Sequence, residues 1–180
     1  MEVFYDLVRR VAKGFEELGV DYAFTGALAA SFYGVPRTTV DVDVVVVVSG
    51  VDDKARLVEA LKSAGLIVDE RAINRALESG YRIATFRDSK TAYTVDVILS
   101  DKKLEKRAGT VVGMATFFQT PEDLILAKLR MIKATVPRER ALKDVEDVRA
   151  VLKFADVNVV FVRERAKGES TLALFEELAF

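Results

Sequence analysis

Asp41 and Asp43 stand two residues apart in "TTVDVDVVVVVSG", at the head of a run of valines. Five consecutive valines, Val44 to Val48, belong in a buried strand, and on a strand the side chains at i and i+2 project from the same face. Two ionised carboxylates held side by side repel each other, and in a partly dry place one of them picks up a proton. A divalent cation removes the conflict by supplying charge and accepting oxygen ligands. Asp96, in "YTVDVILS", is again an acid flanked by valines. If the two strands lie side by side, the three carboxylates converge, which is the arrangement a two-metal phosphoryl-transfer site needs. A D-x-D pair is also common at exposed strand ends and in salt bridges, so its surroundings must carry the argument.

Upstream, "VDYAFT" (20–25) reads as a strand that runs through Gly26 into a short helix, "GALAASFY", stopped by Gly34. A helix N-terminus offers unpaired N–H groups and the positive end of a dipole, a seat for phosphate. Gly26 lets the backbone approach a ligand closely, although a single glycine is also an ordinary turn residue. Strand, glycine, short helix, D-x-D and a later third acid together are far more specific than any one of them.

Composition narrows the chemistry. The chain has 180 residues, neither cysteine nor histidine, and a net charge of −1. Disulfides, thiolate or imidazole metal sites and Ser-His or Cys-His mechanisms are thereby excluded, leaving hard cations held by oxygen. Net charge gives no global case for nucleic acid or membrane, so a polyanion must meet a local patch. Asparagine occurs only at Asn74 and Asn158 and glutamine only at Gln119; with so many charges, this points to a thermophilic source. Charges begin at Glu2 and Asp6, and no apolar run is long enough to span a bilayer, so a cytoplasmic protein with no membrane partner is expected.

The elements that must position these residues follow from periodicity. Phe4, Leu7, Val8, Val11, Phe15 and Leu18 form a helical stripe closed by Gly19. The valine strand covers 40–48, and Asp52 or Asp53 can cap a helix over 54–64. A weaker helix covers 70–78, strands 81–86 and 92–99 form a hairpin, and a short hairpin follows at 110–118. Thr120 with Pro121 is a strong helix start for "TPEDLILAKLRMIKAT"; a further helix covers 138–155, and the tail holds helices at 158–167 and 171–178. Residues 157–162 have strand propensity as well. The expected organisation is an α+β core over 1–118, with a mixed sheet and flanking helices, then a helical region over 119–180 sharing its cleft.

"FTGALAASFYGVPRTTVDVDVVV" with "TVDVI" resembles the DNA polymerase β superfamily of nucleotidyltransferases. That pattern is a hydrophobic residue, Gly-Gly or Gly-Ser, a spacer, then acid–hydrophobic–acid and a third acid on a later strand. Adding "TPEDLILAKLRMIKAT…RALKDVEDVRAVL" makes the chain similar to a group within it that includes type IV toxin–antitoxin toxins of the abortive-infection kind and many archaeal relatives. The likeness spans about residues 20–155.

The resemblance implies Mg²⁺, with Mn²⁺ as an alternative, held by Asp41 and Asp43, with Asp96 as third ligand or general base. It implies a nucleoside triphosphate whose phosphates meet Gly26 and the backbone of Ala27, an RNA or tRNA acceptor, and an antitoxin protein as partner. It also makes Lys128 and Asp144 functional, with Asp147 as the neighbour that could share the role of Asp144. Ala27 departs from the family, which has Gly or Ser there, so a hydroxyl to the triphosphate is missing while the backbone N–H remains.

Lys128, Arg130, Lys133, Arg138, Arg140 and Lys143 are opposed only by Glu139 between 128 and 143, a local basic patch suited to triphosphate or RNA. A solvated helical face with i,i+4 pairs is the alternative. Arg37 could reach phosphates or pair with Asp41 or Asp43. The expected function is nucleotidyl transfer from an NTP. The alternatives are a non-catalytic nucleotide- or partner-binding member of the same fold and, last, a D-x-D glycosyltransferase.

Overall fold

The computed structural model describes residues 2–35 and 37–179. It divides into two compact units: Met1–Leu28 with Thr38–Gln119, and Ala29–Arg37 with Thr120–Phe180. Each is built around its own core.

The first unit is a sheet of seven strands flanked by helices. The strands are β1 (Tyr22–Phe24), β2 (Asp41–Val47), β3 (Leu66–Ile67), β4 (Ile83–Asp88), β5 (Thr94–Ser100), β6 (Lys106–Val111) and β7 (Met114–Gln119), in the spatial order β3-β4-β5-β2-β1-β7-β6. β2 pairs parallel with β5 and antiparallel with β1, while β1 and β7 are parallel, so the sheet is mixed. The valine run is central because both of its faces have somewhere dry to go: Val42, Val44 and Val46 are fully buried, and Val45 is only 7% exposed. Helices α1 (Glu2–Glu17), α3 (Val51–Ser63) and α4 (Glu70–Glu78) belong to this unit. The stripe read in the sequence is the buried face of α1, from Phe4 through Phe15. α1 and α3 approach closely at Gly14, where a Cβ would stand 2.8 Å from the Ala60 carbonyl oxygen and 2.9 Å from the Ser63 hydroxyl.

α2 (Gly26–Phe32) carries the chain from the first unit into the second. The second unit continues with α5 (Pro121–Ala134), a 3-10 turn (Arg138–Ala141), α6 (Leu142–Phe154), α7 (Val159–Gly168) and α8 (Leu172–Ala179). Thr120 caps α5 by accepting from the Asp123 N–H at 3.3 Å, with Pro121 in the first turn. Residues 159–162, ambiguous by propensity, are helical because Asn158 caps α7 by accepting from Phe161 N–H at 3.0 Å, and Val162 is then buried.

Three local expectations are corrected. α3 begins at Val51, and neither Asp52 nor Asp53 is its N-cap. Gly50 holds that position, and Asp53 instead reaches back to accept from the Ser49 N–H at 2.9 Å. That bond, then the Arg56 guanidinium, holds the Asp53 carboxyl below the usual range. β3, only two residues long, gave no periodic signal and was not expected. The last hairpin is longer than 110–118: its strands begin at Lys106 and end at Gln119, around a turn at Val112 and Gly113. Among the described residues, no helix is long and apolar enough to cross a membrane.

Candidate functional site

The three acids of the sequence pattern lie on one face of the sheet. Alternation along β2 sends Val42, Val44 and Val46 to one side and Asp41 and Asp43 to the other, where both are half-buried. On β5 the same alternation buries Val95, Val97 and Leu99 and leaves Thr94 and Asp96 half-buried. The parallel register then sets Asp43 directly opposite Asp96, and Asp41 opposite Thr94. β4 extends both rows: Thr85 is opposite Asp96, and Arg87 is opposite Thr94. The face therefore carries a grid, Asp43–Asp96–Thr85 in one row and Asp41–Thr94–Arg87 in the next.

Threonines hold two of the carboxylates. Thr94 Oγ1 donates to Asp41 Oδ1 at 2.6 Å, and Thr85 Oγ1 donates to Asp96 Oδ1 at 2.6 Å. Among the described residues, no three acidic side chains are drawn together into a ready-made cation cage, since Asp41 and Asp96 each turn to a threonine. The donor set nonetheless suits a hard cation. It is all oxygen, and two like charges directly opposite on neighbouring strands destabilise a sheet unless something offsets them.

Gly26 meets this grid from β1. The Thr25 N–H donates to the Asp43 carbonyl at 3.0 Å, continuing the ladder past the end of β1. Gly26 follows with φ +56°, a conformation that side chains disfavour. A Cβ at this position would stand 2.1 Å from Asp43 Oδ2, so the carboxylate lies in the space that only glycine leaves open. Ala27, next in α2, is buried at 8% exposure, and its side chain has no hydroxyl to offer. Thr25 is itself buried, and its hydroxyl donates to Gln119 Oε1 at the end of β7.

The remaining candidates form a separate cluster inside the second unit. Lys128 on α5 is nearly buried; its ammonium contacts Asp147 Oδ2 at 2.5 Å and Asp144 Oδ1 at 3.0 Å, both on α6. Arg37 also pairs with Asp147 through Oδ1. Asp147 is thus the hub, its side chain 1% exposed, whereas that of Asp144 is 30% exposed. Arg37, read in the sequence as a phosphate contact or as a partner of Asp41 or Asp43, is paired with the buried Asp147 carboxylate on α6. The basic patch is partly paired: Arg130 pairs with Glu169 at 2.7 Å and Arg138 with Glu177 at 2.8 Å, Lys133 donates to the Glu169 carbonyl at 3.2 Å, and Arg140 and Lys143 make no ion pair among the described residues. The neutralising acids come from the tail, too distant in sequence for local charge counting to include.

Sequence reasoning missed Thr85, Arg87 and Thr94. The signal was present: "TFR" and "TVD" are i, i+2 polar pairs on strands, and each pair shares a face. What was lacking was the register that aligns them with Asp41 and Asp43 and, for Arg87, a strand that runs past residue 86 to Asp88.

With this geometry established, comparison with solved structures is decisive for the fold. The chain superposes on the solution structure of the antibiotic-resistance factor ANT(2'')-Ia with a TM-score of 0.64 over 96% of this chain and 91% of that one, at 13% identity. It superposes on crystalline ANT(2'')-Ia in complex with adenylyl-2''-tobramycin with a TM-score of 0.63 over 96% and 97% of the two chains, at 14% identity. The fold is nucleotidyltransferase-like. A third neighbour, an antigenic nucleotidyltransferase-like protein from Paracoccidioides brasiliensis, matches with a TM-score of 0.58 over 94% of this chain and 92% of that one, at 16% identity. No family model and no curated protein matches the sequence.

Proposed function

We propose that the chain transfers a nucleoside monophosphate from an NTP to an acceptor hydroxyl. One observation carries the reading: Asp43 stands directly opposite Asp96 in parallel register, with Asp41 on the same face. A protein gains nothing in stability from like charges so placed. The arrangement makes sense as a site that receives a cation and a polyphosphate.

In this reading Asp41, Asp43 and Asp96 hold Mg²⁺, which when bound polarises the phosphate and offsets the charge of the leaving group. The acceptor oxygen attacks the α-phosphorus, a new P–O bond forms, and the bond to the oxygen bridging to the β-phosphate breaks, so that pyrophosphate leaves. The hydroxyl proton passes to an Asp96 carboxylate oxygen. The backbone N–H groups of Gly26 and Ala27, at the start of α2, face the phosphates. Thr94 and Thr85 orient Asp41 and Asp96 through their hydroxyls. A role for Lys128 and Asp144, a toxin-like activity and an antitoxin partner rest on the sequence resemblance.

The test is a labelled-NTP assay with Mg²⁺ and total RNA, comparing wild type with Asp43→Asn. The variant keeps the shape of the side chain and removes its charge, so transfer should fall to background while the melting temperature holds or rises. Transfer by the variant at the wild-type rate would overturn the metal-site assignment. NTP binding without transfer by the wild type would favour a non-catalytic role, consistent with the missing hydroxyl at Ala27.

A further inference from the structure

Arg87 ends the row Asp41–Thr94–Arg87 on the polar face of the sheet. Strand alternation explains its direction: Ala84, Phe86 and Asp88 are buried on the other side of β4, while Thr85 and Arg87 are exposed. The adjacent acid does not neutralise it, because Asp88 is engaged on the buried side by Arg10 Nη2 at 3.0 Å and Thr91 Oγ1 at 2.7 Å. Two other cations of this unit are paired locally, Arg82 with Asp101 at 3.0 Å and Lys106 with Asp21 at 2.6 Å. Among the described residues, Arg87 makes no ion pair and no side-chain hydrogen bond.

Its side of the grid matters. In the order β4-β5-β2-β1, the acids of β5 and β2 lie between Arg87 on β4 and Gly26, which follows β1. In an in-line displacement, the attacking and leaving oxygens lie on opposite sides of the α-phosphorus. With pyrophosphate seated toward Gly26, the acceptor enters from the β4 side and meets Arg87, two strand spacings or about 10 Å from Asp41 across the sheet.

We propose that Arg87 binds a phosphate of the acceptor, so that the acceptor is a phosphate-bearing hydroxyl compound. This inference rests on the nucleotidyl-transfer reading. A guanidinium is suited to paired hydrogen bonds with phosphate oxygens, and a polycationic acceptor would meet like charge there. The phosphate could belong to a mononucleotide or to an RNA chain, and the two are separated by the acceptors used. An exposed arginine beside a two-residue edge strand would also guard that edge against pairing, a role that involves no ligand.

The experiment compares wild type, Arg87→Lys, Arg87→Ala and Arg87→Glu with labelled NTP and four acceptors: a single-stranded RNA, a 5′-mononucleotide, the matching unphosphorylated nucleoside, and tobramycin. The expected result is an Ala-variant loss of about 10- to 100-fold in kcat/KM for the phosphate-bearing acceptor, mainly through KM. The Glu variant should lose more, the Lys variant should recover part, and the nucleoside should be used poorly by all four. Preference for RNA over the mononucleotide would identify a chain as the source of the phosphate. Equal use of RNA by wild type and Arg87→Glu, or wild-type preference for tobramycin, would overturn the proposal. If no acceptor is modified, the transfer reading itself fails. Fluorescence anisotropy with labelled RNA and mononucleotide then decides on Arg87: equal affinities for wild type and Arg87→Glu would refute the contact.

Discussion

Gly26 and Asp43 are shaped to each other: the carboxylate of Asp43 fills the space where any other residue at position 26 would carry its Cβ, 2.1 Å from Oδ2. The glycine is therefore required twice, for its positive φ and for the contact. Gly26→Ala should cost about 1–2 kcal/mol of stability from the backbone conformation alone. It should also displace the carboxylate and lower NTP transfer by at least about 100-fold. Calorimetric melting and a transfer assay at a temperature where the variant is folded separate the two effects. A variant that melts lower but transfers at the wild-type rate would show that Asp43 tolerates displacement.

Asp147 should matter more for stability than Asp144, although both contact Lys128. Asp147 is buried between Lys128 and Arg37, so Asp147→Asn leaves two cations facing a neutral amide, and a loss of about 3–5 kcal/mol is expected. Asp144→Asn, at the more open end, should cost under about 1 kcal/mol. The double variant Lys128→Met/Asp147→Asn should lose less than the sum of its parts, because removing both partners leaves fewer unpaired charges. Urea denaturation of the wild type, Lys128→Met, Asp144→Asn, Asp147→Asn and the double variant is the measurement, and additive losses would contradict a coupled network.

Asp88 ties stability to acid. Burial alone would raise its carboxyl pKa, but hydrogen bonds from Thr91 and Arg10, and the Arg10 charge, outweigh it and hold the group below the usual range. A depressed folded pKa contributes stability that is present above the ordinary aspartate pKa, about 3.9, and is lost as pH falls through the folded value. Wild-type melting temperature should therefore drop between about pH 5 and pH 2, and the drop should be smaller in Asp88→Asn. At pH 7 the variant should be less stable by about 3 kcal/mol. Parallel pH profiles of the two proteins would argue against this carboxylate as a source of acid sensitivity.

Much of the first unit was legible because its signals are local. Valine density marks a doubly buried strand and a two-residue period puts Asp41 and Asp43 on one face; in the second unit, Thr120-Pro121 starts a helix in the same local way. The hairpin from β4 to β5 could be read from alternation around a polar turn, but not its ends: β4 begins at Ile83 and runs through Arg87 and Asp88, past the expected end at 86. β3 and the start of α3 could not: the first has two residues, and the second has Gly50 at its N-cap, with the Asp53 side chain reaching back to accept from the Ser49 N–H.

The sequence by itself determined which residue types could do the chemistry and which of them share a face, since strand geometry converts spacing into direction. It also confined any metal chemistry to oxygen ligands, since no cysteine or histidine exists. Tertiary structure decided the pairings between distant segments. Parallel β2 and β5 set Asp96 opposite Asp43, and β4 brought Thr85 and Arg87 into the same rows. Asp147 took Arg37, and Glu169 and Glu177 neutralised cations that looked free in the sequence. Charge partners separated by tens of residues are chosen by the packing of whole elements, and no local pattern records that choice.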